Sequence, residues 1–99
     1  PKNLMFGHVL SALSGVLVYA FIGQSFYSLG AGVALAIFVM MITNTIHPPA
    51  GANPIIAILG GKSLSFVLLP VAVGALIIII FAILYNKILG RNYPIRANN

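Results

Sequence analysis

Residues 43–54 read Thr43-Asn44-Thr45-Ile46-His47-Pro48-Pro49-Ala50-Gly51-Ala52-Asn53-Pro54, and no continuous helix can hold them. Pro48 and Pro49 each lack an N–H, and their rings clash with the preceding turn. The residue before a proline is pushed out of the helical region, so a helix arriving from the N-terminal side should stop near Ile46. Asn53-Pro54 reads as a new start, because Asn is a favoured N-cap and Pro a favoured first helical residue. Gly60-Gly61 then closes this second helix. Over residues 54–60 it has about two turns, or some 10–12 Å, and cannot cross a bilayer alone.

On both sides of the break the chain is apolar. Residues 4–23, 29–46 and 66–89 form three runs of about eighteen to twenty-four residues, close to or beyond the roughly 30 Å thickness of bilayer hydrocarbon. Overall 61 % of the 99 residues are hydrophobic and 5 % charged, with a mean hydropathy of +1.11; soluble domains carry about 25 % charged residues. The expected fold is therefore an all-α membrane protein, a single helical domain over 1–99 with three transmembrane helices plus one short half-helix after the Pro-broken segment. We expect that short helix to be partly buried and to dip in and out, which puts Lys2 outside. A broken pair that crosses would put Lys2 inside and suits the charge distribution better. Pro70 and, one turn later, Gly74 predict a kink or a close helix contact in the last run. The opening on Pro1 and a first apolar run too long and Gly-rich for a cleavable signal lead us to expect the C-terminal part of a longer protein.

The composition also limits the chemistry. There is no Asp, Glu or Cys, which excludes a disulfide scaffold, a Cys-based metal or redox site, carboxylate-pair catalysis and an acidic calcium or magnesium cage. The five basic residues, Lys2, Lys62, Lys87, Arg91 and Arg96, lie outside the apolar runs or, for Lys87, at the far end of the last one, and form no stripe for nucleic acid. They read as interfacial anchors, with Tyr85 and Tyr93 joining the C-terminal group. The cluster of Lys87, Arg91 and Arg96 places the C-terminus on the cytoplasmic or equivalent side of a bacterial inner membrane or an organelle membrane. In the first run Gly7, Ser11 and Gly15 recur at every fourth position, a small-residue face that lets another helix approach closely.

Irregular backbone at membrane depth must be buried in protein or line a wet cavity, because lipid cannot satisfy its N–H and C=O groups. Secondary transporters use such breaks, and the free N–H groups that begin a half-helix suit an anion. The candidate substrate site is therefore Asn44, His47, Pro48, Pro49, Ala50, Gly51, Ala52 and Asn53, with the turn from Ala50 to Asn53 supplying amides. His47 and, with less claim, His8 are the side chains that titrate near neutral pH. Plainer readings exist for each part. Pro-Pro-Ala-Gly can be a rigid turn, Thr43, Asn44 and Thr45 can be helix–helix glue, and His8 can sit among headgroups. Two histidines without a third ligand make no metal site, no cofactor is implied, and without a carboxylate to orient His47 no catalytic triad can be assembled.

Thr45-Ile46-His47-Pro48-Pro49-Ala50-Gly51-Ala52, followed by an apolar run and Gly60-Gly61, resembles the signature of the HPP family of integral membrane proteins. Pro1-x-Asn3-x-x-x-Gly7-His8-x-x-Ser11-Ala12 is similar to the opening of that family's second half, and Leu68-Leu69-Pro70-Val71 with Tyr85-Asn86 to its final helix. The resemblance implies a small all-helical protein, usually described with four transmembrane helices, some members of which are associated with nitrite transport in plastids and cyanobacteria. The chain departs from the family pattern in two ways. A preceding helix and a Pro-Met-Gly-Ala-like break are absent, and Asn53, followed by Pro54, stands where Thr is frequent. Two functions are expected from these readings. One is a transport protein passing a small anion such as nitrite at the broken helix. The other is an accessory or structural subunit of a larger membrane complex. The partners are the bilayer and other transmembrane helices, from an N-terminal half, a second copy or a complex.

Overall fold

The computed structural model describes residues 2–91, all of whose regular structure is helical. Helix α1 spans Lys2–Ile22, α2 Phe26–Ile42, α3 Ala52–Leu59, and α4 Leu64–Ile88. A 3-10 turn, Pro48–Gly51, leads directly into α3. Tyr93, Arg96 and the rest of the expected polar tail lie outside the described residues. The 21 residues of α1 and the 25 of α4 are long and apolar enough to cross a membrane, and α2 is a shorter apolar helix of 17.

Local chemistry fixes the ends of these helices. The Ser25 hydroxyl caps α2 by accepting the Ser28 N–H at 3.2 Å. The helix then stops at Ile42, four residues before the expected Ile46, because Asn44 turns left-handed at φ +56°. That turn lets the Thr45 N–H reach the Met40 carbonyl at 2.9 Å and the Asn44 N–H reach Met41 at 3.2 Å, the paired bonds of a Schellman close. Gly61, at φ +58°, ends α3 in the same way, with the Lys62 N–H on the Ala57 carbonyl at 2.9 Å.

The beginning of α3 differs from the expectation. Asn53 is not its N-cap: α3 starts at Ala52 and no side chain caps it. The physical reason is upstream. The 3-10 turn starting at Pro48 already gives Gly51 helical dihedrals, φ −61° and ψ −19°, so α3 inherits its direction from that turn. Pro54 then falls in the first turn of α3, where a missing N–H leaves no bond unmade. Pro70 is likewise accommodated inside α4 by a wide π-helical stretch, Val67–Val73. Gly74 has open space where a Cβ would stand, so of the kink or close contact expected there, the close contact is not seen and the helix irregularity is.

The small-residue faces pack as their spacing predicts. Gly7, Ser11 and Gly15 on α1 and Ser28, Gly32 and Ala36 on α2 are all buried. A Cβ on Gly15 would stand 2.5 Å from Pro54 Cα, and one on Gly32 would stand 2.8 Å from Ile58 Cδ1. Pro54 and Ile58 of α3 are thus seated in the groove between α1 and α2, where both are fully buried. On the other side, Ala12 and Val16 of α1 form an apolar core with Ala57, Phe66, Val67 and Val71.

These contacts also give the direction of each element. Met40 and Thr45 lie beside Gly7, Asn53 bonds His8, Pro54 meets Gly15, and Gly61 lies against Tyr19. Helix α3 therefore runs alongside α1 in the same direction and does not turn back as a dip would. Helix α4 returns antiparallel, from Val67 near Val16 to Ala75 and Ile78 near His8. Lys2 and Lys87 consequently lie toward one end of the bundle and Lys62 toward the other. The circumference is lined with exposed large apolar side chains, Phe21 and Ile88 at over four-fifths exposure among them, as a lipid-facing surface requires.

Candidate functional site

The break is held against the first two turns of α1. Asn3 Nδ2 donates to the Ile46 carbonyl at 2.8 Å. Gly7 leaves room for the incoming segment, since a Cβ there would stand 2.8 Å from His47 Cβ and 2.9 Å from the Thr45 carbonyl oxygen. His47 itself is extended, with φ −142° and ψ 96°, as its position before Pro48 demands. This conformation brings its ring to 5.0 Å from that of His8, centroid to centroid, at a tilt of 56°.

Asn53 joins the pair from α3. Its Nδ2 lies 2.8 Å from His8 Nδ1, 3.1 Å from Ser11 Oγ and 3.3 Å from the His8 carbonyl oxygen. Ser11 in turn donates its hydroxyl proton to the same carbonyl at 3.0 Å. His8, Ser11 and Asn53 therefore form one network between two helices, 42 to 45 residues apart in sequence. Asn53 and Ser11 are buried, while His8 and His47 are half-buried. Burial draws the His47 imidazole below its ordinary pKa, so the ring is neutral at pH 7.

A cleft of about 240 Å³ opens beside this network, lined by His8, Asn53, Ile56 and the α4 residues Pro70, Val71, Gly74, Ala75 and Ile78. The π-helical stretch of α4 thus forms part of one wall. The other walls are apolar, so His8 and Asn53 are the polar contacts available to anything that enters.

Not all of the expected site residues come together. His47 and Asn53 both approach His8. Ala50 is buried against Ala36 and Met40 as packing, and Pro48, Pro49 and Ala52 are exposed. Gly51 has no atom near where a Cβ would stand. Asn44 is exposed and terminates α2. The expected row of free amides is also reduced, since the Ala50 N–H is bonded to the His47 carbonyl at 2.9 Å and the Ala52 N–H to Pro49 and Ala50. Side-chain donors, more than backbone amides, are what the site offers. Ser11 was legible only as a small packing residue. Its three-residue spacing from His8, which places both on one helical face, is the signal that could have joined them.

The donor pattern also bears on metal binding. A metal-ligating histidine ordinarily donates its second ring N–H to a nearby acceptor. Here Nδ1 of His8 faces an amide donor, an arrangement that does not suit a ligand.

A family model described as "HPP, transmembrane region" matches residues 1–94. Two proteins of Dictyostelium discoideum, each named as a transmembrane protein, are similar to the chain. One is 33 % identical over 104 residues, covering 96 % of this chain and 36 % of its own length. The other is 31 % identical over 104 residues, covering 96 % and 33 %. The chain thus spans about a third of the length of these curated relatives. No solved structure matches it.

Proposed function

This chain belongs to the HPP transmembrane family, and on that premise we propose that it forms part of a membrane transport protein that passes a small anion such as nitrite through the broken helix. The observation that carries this reading is the meeting of His8, His47 and Asn53 beside a cleft in a chain without a single carboxylate. The neutral N–H groups of the histidine rings attract an anion yet hold no fixed charge that would trap it, and the absence of Asp and Glu removes the repulsion that would exclude it. His47 becomes cationic at lower pH and then adds attraction. The positive-inside tendency places the end bearing Lys2, Lys87 and Arg91 on the cytoplasmic or equivalent side.

Nitrite uptake into proteoliposomes containing the full-length protein tests the reading. The expected result is saturable uptake that falls at least about tenfold in His47→Ala and His8→Ala variants at matched reconstitution, the scale of losing one hydrogen bond to a charged group. Uptake no greater than in empty liposomes removes the proposal.

A second reading, an accessory or structural subunit of a larger complex, is favoured by the exposed Gly30, Ala31 and Ala34 of α2, small residues of the kind that admit a neighbouring helix. Mild-detergent purification separates the two. Co-purifying membrane proteins in fixed proportion support the subunit, and migration of the protein alone counts against it.

A further inference from the structure

The contacts around His8 favour one placement of protons. The His8 carbonyl oxygen can only accept a hydrogen bond, and the Ser11 hydroxyl has already directed its proton to that oxygen at 3.0 Å. With that proton so directed, the Asn53 side-chain atom 3.3 Å from the carbonyl oxygen and 3.1 Å from Ser11 Oγ is assigned as the amide nitrogen, since a carbonyl oxygen there would face the lone pairs of both. That nitrogen also lies 2.8 Å from His8 Nδ1. Two donors cannot share so short a contact, so Nδ1 carries the lone pair and Nε2 the proton. Nε2 has no hydrogen-bond partner among the described residues, and His8 lines the cleft.

We infer that Asn53 is a positioning residue that fixes His8 as its neutral Nε2–H tautomer, so that His8 offers the cleft an N–H donor in place of a lone pair. The role for a transported anion rests on the function proposed above; the tautomer itself rests only on the geometry. The alternative tautomer would present a lone pair to an anion and repel it. A carboxylate at position 53 would accept from Nδ1 and reverse the arrangement.

The test is nitrogen NMR of the full-length protein in lipid nanodiscs with 15N-labelled histidine, His8 being assigned by the resonances lost in His8→Gln. The parent should show His8 Nδ1 unprotonated and Nε2 protonated. Asn53→Asp should move a proton onto Nδ1, while the His47 resonances stay near their parent positions as a check that the fold is kept. Should that variant fail to fold, Asn53→Ala takes its place and should leave His8 a mixture of tautomers, whereas a spectrum unchanged in it counts against Asn53. A parent His8 protonated at Nδ1, or a His8 spectrum unchanged in folded Asn53→Asp, overturns the inference. Adding sodium nitrite to the parent should then shift His8 Nε2. The expected tautomer without any nitrite shift upholds the role of Asn53 and counts against the anion reading alone.

Discussion

Gly7 and Gly15 mark two of the places where the broken segment touches α1, and neither has room for a methyl group. A Cβ on Gly15 would meet the Cα of Pro54, backbone that cannot swing aside, at 2.5 Å. Gly15→Ala should lower stability by about 1–3 kcal/mol, as overpacking of a well-filled site does, read as a reduced thermal midpoint in detergent. Gly30→Ala, where a Cβ meets nothing within 4 Å, should leave the midpoint unchanged or slightly raised. His47 gives a pH prediction at the same scale. Its folded pKa is depressed by burial, so the unfolded chain takes up a proton near the ordinary value of about 6.5 and the folded chain only at lower pH. The stability from neutral His47 is present above about pH 6.5 and is lost as the pH falls toward the folded value. Thermal midpoints measured across this range should therefore decline on acidification, and less steeply in His47→Gln.

The elements differ in how far their sequence foretold them, and the difference follows from the range of the interactions. Pro48 and Pro49 act on their own turn, so the break was legible without knowledge of the fold. Gly60-Gly61 ends α3 by a local left-handed turn and was legible for the same reason. Asn53 was not, because the partner that claims its side chain is His8, 45 residues away, and a cap judged from neighbours alone ignores such a competitor. The early end of α2 turns on Asn44, whose φ of +56° is a conformation that Asn tolerates, Gly prefers and β-branched residues resist. Asn44→Gly should leave stability equal or higher, and Asn44→Val should lower it by about 1–2 kcal/mol, both read as shifts of the thermal midpoint. In α4 the wide turn through Pro70 borders the cleft. Pro70→Ala supplies the missing N–H and allows an ordinary α-helix. This variant should gain thermal stability yet take up less nitrite, and full uptake would show that the wide turn is dispensable for transport.

At the scale of the whole molecule, two stretches far apart in sequence, Asn3 to Ser11 and Thr45 to Asn53, form one contact through Asn3 with Ile46, Gly7 with His47, and His8 and Ser11 with Asn53. The family resemblance rested on both stretches, but only their packing explains why they occur together: each supplies part of one site. The same packing makes α3 run parallel to α1 and puts Lys2 and Lys87 at one end. Since the chain has no cysteine, single cysteines at positions 2, 62 and 87 can be labelled with a membrane-impermeant thiol reagent. Positions 2 and 87 should react from the same side of the membrane and position 62 from the other.

The same opposition of ends permits a direct test of where an anion binds. Nitrite binding to the purified full-length protein in nanodiscs, measured by calorimetry for the parent, His8→Ala and Lys62→Ala, compares the histidine network with the Lys62 cation at the far end of the bundle. Saturable binding that survives Lys62→Ala and disappears in a folded His8→Ala is expected of a site at the histidine network. Binding that survives His8→Ala and disappears in Lys62→Ala would contradict it.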